Sequence, residues 1–135
     1  MPTRSTNPHR FDPYKHFKFR VKIGGRIVAG IAGITGLLRA SRKLPGIQKY
    51  PNVTLKRGLT RDPDFRKWAA SRSGGRKAVV IEVYDETGTL SKAYRVHRGW
   101  VSKYEASDLK AGANEVGIES LTLENEGVEV MRPRK

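Results

Sequence analysis

The chain has 135 residues, of which 37% are apolar, and it contains no cysteine. This length and apolar content fit one domain with one modest core, and the absence of cysteine excludes disulfides, thiolate metal sites and cysteine nucleophiles. No apolar run approaches the ~18 residues of a membrane-spanning helix, and the N-terminal sequence MPTRSTNPHRFDPYKHF lacks the hydrophobic centre of a signal peptide. We therefore expect no membrane insertion and no classical secretion, and a chain that is made and kept soluble in the cytosol.

Positive charge is concentrated in the first half of the chain. The formal net charge is +14. Residues 1–61 contain 14 Lys or Arg and one acid, Asp12, whereas residues 62–135 contain 13 basic and 12 acidic residues. This asymmetry predicts a basic surface that could attract nucleic acid, an acidic lipid face or an acidic protein. The alternatives are a solvated face, or a half that receives acidic residues from a neighbouring subunit.

The first predicted elements are an arm and a β-hairpin. Residues 1–14 carry three prolines and no periodicity, which predicts a flexible arm, and a single domain is expected over residues 15–135. From Lys15 the residues alternate between two faces, of which the apolar one consists of Phe17, Phe19, Val21 and Ile23. Gly24-Gly25 forms the turn, and the returning strand is predicted from Arg26 to Leu38.

Three glycines repeat within the returning strand, at Gly30, Gly33 and Gly36. A phosphate-binding loop needs its glycines between a strand and a helix N-terminus, together with a GK[ST] motif. These glycines lie inside an apolar run without that motif. We expect them at a bend, at a bulge or at a close contact between subunits.

One short helix is predicted in the middle of the chain. Asp62 is placed to cap it, and Pro63 fits its first position. Phe65 and Trp68 share one face and are predicted to anchor the helix in the core. The helix is expected to end near Ser71.

The remaining chain is predicted to form strands and loops. Residues 39–51 are a basic loop, because their prolines and glycine prevent a long helix. A bulge or a change of face is expected between Ile118 and Leu121. Further strands are indicated over 53–57, 78–84, 90–96, 99–105, 116–123 and 128–131. The prediction is a mainly β fold, an antiparallel β-barrel or sandwich of about seven strands with one short flanking α-helix.

The sequence contains no recognisable catalytic or metal-binding set. His9, His16 and His97 are far apart, and none stands in a metal-ligand pattern. Asp62 and Asp64 are explained by helix capping and the helix dipole, and no GxSxG motif accompanies the serines. We therefore predict a non-enzymatic protein without cofactor or metal site.

Residues 42–69, RKLPGIQKYPNVTLKRGLTRDPDFRKWA, carry a more specific pattern. An R-K-x-P-G-x-x-K-(Y/F) run leads into a T-L-x-R-G strand and then into T-x-D and a helix with Trp. In these motifs the chain resembles the T4-like tail-tube family, which spans phage tails, R-type pyocins and extracellular contractile injection systems. Three more segments look like the family's other strands, so the resemblance covers nearly the whole chain. They are DPYKHFKFRVKI, IEVYDETGTLSKAYRVHRGWVSKYEASDL and NEVGIESLTLENEGVEV.

The resemblance implies a structural subunit that assembles with copies of itself. Members of the family form hexameric rings that stack into a hollow tube within a contractile sheath. For this chain the resemblance implies sheath and baseplate proteins as partners, and nucleic acid or protein cargo that passes through the lumen. It also implies assembly in the bacterial cytoplasm and a mature location in a phage tail or an extracellular tail-like particle.

Contacts between subunits are predicted in the first hairpin, over residues 15–38, and in the basic loop over residues 42–50. The strand face that lines the channel is expected to be polar and free of recognition aromatics, and the sequence leaves open which face this is. The candidate contact residues are Arg42, Lys43, Pro45, Gly46, Lys49, Tyr50, Arg57 and Gly58.

Two regions are shorter than the family pattern. Between Leu38 and Arg42 most members carry an additional strand with an acidic turn, and between Trp68 and Arg76 they often have a longer loop. The family uses both regions for ring and stack contacts. The chain is therefore either a natural short variant or a trimmed one, and its assembly has to be tested.

The alternative function is a basic β-barrel that binds nucleic acid through phosphate contacts. It predicts strong DNA binding that weakens steeply with salt. Interleaved stacking aromatics and a recognition helix, which would support nucleic-acid binding, are missing from the sequence. This favours the tube subunit.

Overall fold

A computed structural model of the chain describes residues 14–40, 50–71, 75–107 and 115–131. The predicted arm lies outside these residues except for Tyr14. Neither helix of the described part is long and apolar enough to cross a membrane. The elements of this part are, in chain order, β1 (Phe19–Ile23), β2 (Arg26–Thr35), α1 (Leu37–Ala40), β3 (Val53–Thr60), α2 (Pro63–Ala70), β4 (Lys77–Tyr84), β5 (Leu90–Ala106), β6 (Val116–Glu124) and β7 (Val128–Met131).

Six strands close into an antiparallel barrel. Each pairs with two neighbours, in the order β1-β2-β3-β6-β5-β4 and back to β1. The additional strand β7 lies alongside the first half of β5, with Val128 opposite Val96. The predicted mainly β fold, with about seven antiparallel strands and a short flanking helix, is confirmed.

β5 is one strand where the sequence analysis predicted two. The predicted break lay between Val96 and Gly99, but β5 runs through it for 17 residues. Its first half pairs with β4 as far as Gly99, and its second half pairs with β6 from Trp100 onward. Arg98 adopts a left-handed backbone conformation at this changeover, with φ 48°. The chain therefore changes neighbours at Arg98 without leaving the sheet.

The core is built from branched aliphatic side chains. Burial of each such side chain contributes about 1.5–3 kcal/mol. Every barrel strand supplies at least one residue with less than 2% exposure, namely Val21, Ile31, Leu55, Ile81, Val96 and Leu121. Phe19 and Ile23 pack against this cluster, which confirms the predicted alternation within β1.

Phe17 does not belong to the apolar face on which the alternation placed it. The chain makes a turn at Tyr14, where the Phe17 amide donates to the Tyr14 carbonyl at 3.0 Å, and β1 begins only at Phe19. A Cβ on Gly30 would lie 2.4 Å from Cδ2 of Phe17. Gly30 pairs with Arg20, and directly opposite residues share one face of a sheet. The Phe17 ring therefore covers β2 on the outer side of the barrel.

β2 ends at Thr35, three residues before the predicted end at Leu38. Gly36 has φ +86°, and a Cβ there would lie 2.4 Å from the Asn52 carbonyl oxygen. Only glycine adopts such a conformation readily, so Gly36 marks the predicted bend. The chain then enters the single turn of α1, where the Ala40 amide donates to the Gly36 carbonyl at 2.9 Å.

α2 forms where its capping signals predicted. The Asp62 carboxylate accepts a hydrogen bond from the Phe65 amide at 2.9 Å, Pro63 occupies the first helical position, and Ser71 is the C-terminal cap. Phe65 and Trp68 are 4% and 5% exposed and belong to the main core. The helix therefore closes the barrel from one side with two aromatic rings.

Two neighbouring strands change the face that they turn to the core. Leu55 and Thr60 are both buried in β3 although they are five residues apart, and Ile118 and Leu121 are both buried in β6 although they are three apart. Residues an odd number apart face opposite sides of a regular strand. The face change predicted in β6 is confirmed, and β3 makes a matching change around Arg57.

Candidate functional site

Most of the predicted contact residues lie outside the part of the chain that the structure describes. These are Arg42, Lys43, Pro45, Gly46 and Lys49. The other three, Tyr50, Arg57 and Gly58, are described, and each has a different environment. That they contact another subunit stays a prediction.

Tyr50 lies at the turn between β6 and β7. A Cβ on Gly127 would lie 3.8 Å from Cζ of the Tyr50 ring. Close by, the Asn125 side-chain amide donates to the Pro51 carbonyl at 3.0 Å. Tyr50 therefore helps to hold the chain before β3 against this turn, and its side chain is half-buried.

Gly58 is required inside the barrel. A Cβ on this residue would lie 2.5 Å from the Gly30 carbonyl oxygen and 2.5 Å from Cδ1 of Ile31. Real Cβ atoms do not approach backbone oxygen this closely, so β2 and β3 could not keep their spacing. The glycine of the T-L-x-R-G motif thus has a role within the chain.

Arg57 combines backbone strain with an unusual side-chain position. Its φ is 55°, a left-handed conformation that costs a residue with a side chain roughly 1–2 kcal/mol. Its side chain is exposed, and Nη2 lies 3.4 Å from where a Cβ on Gly33 would stand. The guanidinium group therefore extends from β3 to the outer side of β2 at Gly33.

Around Arg57, four strand segments present a surface that we call the polar face. It consists of the outward side chains of β2, β3, β6 and the second half of β5. None of these residues is buried, while Leu55 and Leu121 between them are fully buried. Two rows of directly paired residues cross the face: Thr35, Thr54, Thr122 and Lys103 form one, and Gly33, Lys56, Ser120 and Glu105 form the other.

The polar face has two open edges. β1 pairs with β2 only up to Ile31, so no described strand lies beyond residues 32–35 of β2. β4 pairs with β5 only up to Gly99, so no described strand lies beyond residues 100–106 of β5. Unpaired strand edges are templates for pairing with another chain.

The outer side of β1 carries basic residues that are partly engaged within the chain. The guanidinium carbon of Arg20 lies 3.9 Å from the centroid of the Tyr84 ring. Lys22 Nζ lies 3.5 Å from a Glu82 oxygen, and the Tyr84 hydroxyl donates to the same carboxylate at 2.7 Å. Two of the basic residues in the first half of the chain, Arg20 and Lys22, therefore contact side chains of β4.

Sequence reasoning did not identify the polar face or its edges. The signal for the face is the alternation of hydroxyl residues with buried leucines, in VTLK over 53–56 and in SLTLE over 120–124. The edges leave no such signal, because they depend on where β1 and β4 stop pairing. Within the described residues, no group of three or more His, Cys, Asp or Glu is placed to hold a metal ion.

A family model described as T4-like virus tail tube protein gp19 matches residues 36–129, which is more than half of the chain. The chain belongs to this family. The resemblance drawn from the motifs in residues 42–69 is thereby confirmed, and the chain is a structural tail tube protein. No curated protein matches the sequence.

Solved structures of low sequence identity share the tail tube fold. A chain of the sheath-tube complex of the PVC extracellular contractile injection system aligns with this chain at 18% identity and a TM-score of 0.59. The alignment covers 96% of this chain and 100% of the other. The anti-feeding prophage cap aligns with 18% identity and a TM-score of 0.56, over 90% and 92%. Hcp1 from Flavobacterium johnsoniae aligns with 8% identity and a TM-score of 0.53, over 87% and 97%. At these identities the likeness concerns the fold.

Proposed function

We propose that this tail tube protein assembles into hexameric rings, which stack as the hollow inner tube of a contractile phage tail or a phage-tail-like injection system. The observation that carries the proposal is the pair of open edges on the polar face. One edge belongs to β2 and the other to β5, which lie at opposite sides of the same four-stranded surface. Each copy therefore offers one edge to each of two neighbours.

The strand directions fit this arrangement. All pairings in the barrel are antiparallel, so β2 and β5, as first and fourth strands of the polar face, run in opposite directions. A copy placed beside another with the same orientation would continue the sheet in antiparallel pairing. Such a head-to-tail contact forms a ring when its rotation closes.

In a ring of this kind the polar face lines the channel. Its opposite side is occupied by the core, so only the side with the hydroxyl and charged residues can face water in the lumen. Around Arg57 it carries Lys56 and Lys103 together with Glu105. Its aromatic residue Trp100, at the end of the face opposite Glu124, is covered by the Arg76 guanidinium. A mixed, polar surface suits a lumen through which nucleic acid or protein cargo has to slide.

The proposed partners are further copies of the chain, the sheath and the baseplate. A solved relative in fold is described as a sheath-tube complex, which supports a sheath around this tube as well. We propose no catalytic activity, assembly in the bacterial cytoplasm, and a mature location in a phage tail or an extracellular tail-like particle. The predicted domain limits, an arm over 1–14 and one domain over 15–135, are part of this proposal, except that the buried Tyr14 belongs with the domain.

Assembly can be tested by size-exclusion chromatography with light scattering at two salt concentrations, followed by negative-stain microscopy of each peak. We expect hexamers, rings or tubes. A stable monomer at both salt concentrations would contradict the proposal and would mean that the short regions at 38–42 and 68–76 have removed the ring contacts. Tight binding of a 30-base-pair DNA duplex that falls steeply with salt, without rings, would support the nucleic-acid-binding alternative.

A further inference from the structure

We propose that Arg57 is a ring-contact residue whose guanidinium group pairs with Glu105 of the adjacent copy. This inference rests on the proposed function, because it assumes that the open edges of two copies meet. It adds the residue pair that selects the partner edge and fixes the register between copies.

The first support is the position of Arg57. Its left-handed backbone turns the side chain out of the regular alternation of β3, and the guanidinium lies over Gly33 on β2. β2 is the last strand of the polar face on that side. The charge is therefore carried from β3 to the open edge.

The second support is that Arg57 forms no ion pair among the described residues. Among the described residues, Arg57 makes no salt bridge or hydrogen bond, whereas Arg26, Arg61, Arg76 and Arg98 each lie within 4.0 Å of a carboxylate. Strained backbone conformations are retained where they serve a function.

The acid nearest in register is the exposed Glu119, which lies on β6 between the partners of Lys56 and Gly58, but the Arg57 guanidinium lies on the other side of β3, over Gly33 of β2. A strained arginine turned toward an open edge and away from this acid points to an acid on another copy.

The third support is the position of Glu105 at the opposite edge. It stands in the second half of β5, is exposed, and accepts a hydrogen bond from the Ser120 hydroxyl at 3.1 Å. Gly33, Lys56, Ser120 and Glu105 form one row across the sheet. If the row continues into the next copy, Glu105 of that copy comes beside Gly33, where the Arg57 guanidinium lies.

The other edge residues make this register the favourable one. In the second row, Lys103 of the next copy comes beside Thr35, which is uncharged. A slip of two residues would instead place Lys103 beside Arg57. Like charges directly opposite each other destabilise a strand pair, so the charges favour one register of the ring.

The test compares four variants with the unmodified chain: Arg57→Glu, Glu105→Arg, the double exchange of both, and Lys56→Glu as control. Lys56 is an exposed lysine of the same face but lies on a strand paired on both sides. We expect each single exchange at 57 or 105 to weaken ring formation by about tenfold or more, measured by light scattering over a concentration series. The double exchange should restore the rings, and Lys56→Glu should change them little.

Arg57→Gly keeps the test independent of folding. Glycine adopts φ 55° without strain, so the urea midpoint of the monomer should stay the same or rise while ring formation falls. Rings that form equally well with Arg57→Glu, or that the double exchange fails to restore, would overturn the pairing and leave the proposed function intact. If the unmodified chain forms no rings, both proposals fall. If Arg57→Glu lowers only the affinity for a DNA duplex, Arg57 is a phosphate contact and the pairing is wrong.

Discussion

The two halves of the barrel differ in whether their strands are paired on both sides. In the closed half, β1 lies between β2 and β4, and β4 lies between β1 and β5. The turn from Tyr14 to Phe17 covers the outside of this half, and the Tyr14 hydroxyl accepts a hydrogen bond from the Arg61 amide at 3.0 Å. In the open half, which carries the polar face, the ends of β2 and β5 lack a second neighbour among the described strands.

β2 and β5 belong to both halves, so the difference arises within single strands. β2 leaves β1 after Ile31, and β5 leaves β4 after Gly99. The two left-handed arginines lie close to these points, with Arg98 in β5 and Arg57 in β3 beside β2. A small barrel can thus provide two edges for assembly without additional strands, because β2 and β5 extend beyond the strands β1 and β4 that pair with them.

The largest expected effect is a difference in the free energy of unfolding between a core-facing and an outward-facing substitution in the open half. Leu121→Ala should lower the free energy of unfolding by about 3 kcal/mol, because a fully buried leucine leaves a cavity. Thr122→Ala, one residue later on the polar face, should change it by less than about 0.5 kcal/mol. Urea denaturation at concentrations where the chain is monomeric measures both. Similar losses for the two variants would contradict the assignment of faces.

A smaller effect is expected where the two halves meet. Gly58→Ala should lower the free energy of unfolding by about 2 kcal/mol, since the added Cβ would meet the Gly30 carbonyl oxygen at 2.5 Å and the strands would have to shift. Gly33→Ala is the matched control, because its Cβ would meet only the flexible end of Arg57 at 3.4 Å. If both variants unfold at the same urea concentration, Gly58 has no packing role.

The sequence predicted the elements whose signals are local. The cap at Asp62, the helix that follows and the alternation of Val21 with its neighbours all depend on residues a few positions apart, and the structure confirms them. The family was likewise identified from the contiguous motifs in residues 42–69.

The features that were missed depend on distant parts of the chain. The Phe17 ring continues the apolar alternation of β1, and only its contact with Gly30 shows that it lies on the outer side. The sequence analysis ended one strand at Val96 and began the next at Gly99, whereas in the structure β7 and β6 follow each other along one edge of β5 and keep it a single strand. The open edges follow from the relative lengths of paired strands, which no local pattern encodes.

The last prediction concerns the closed half, where Asp62 links the start of β2 to α2. Burial alone would raise the pKa of Asp62, but hydrogen bonds from Arg26 and from the Phe65 amide outweigh it and lower the pKa below its usual value. A carboxyl group with a lowered pKa in the folded state stabilises the fold above its unfolded pKa of about 3.9, and this contribution is lost as the pH falls through the folded pKa.

Asp62→Ala should therefore lower the free energy of unfolding by about 1 kcal/mol at pH 7, the usual effect of removing an N-cap. The difference from the unmodified chain should shrink as the pH falls below 4, because protonation weakens the same interactions.

Asp62→Asn keeps a cap acceptor that does not titrate, so its stability should depend less on pH in this range than that of the unmodified chain. Urea midpoints between pH 2.5 and 7 measure the three curves. If the curve of the unmodified chain runs parallel to those of both variants, the Asp62 carboxylate does not couple α2 to the closed half. If it approaches the curve of Asp62→Ala at low pH, the helix is held by a charge that the open half does not share, and the two halves can be destabilised separately.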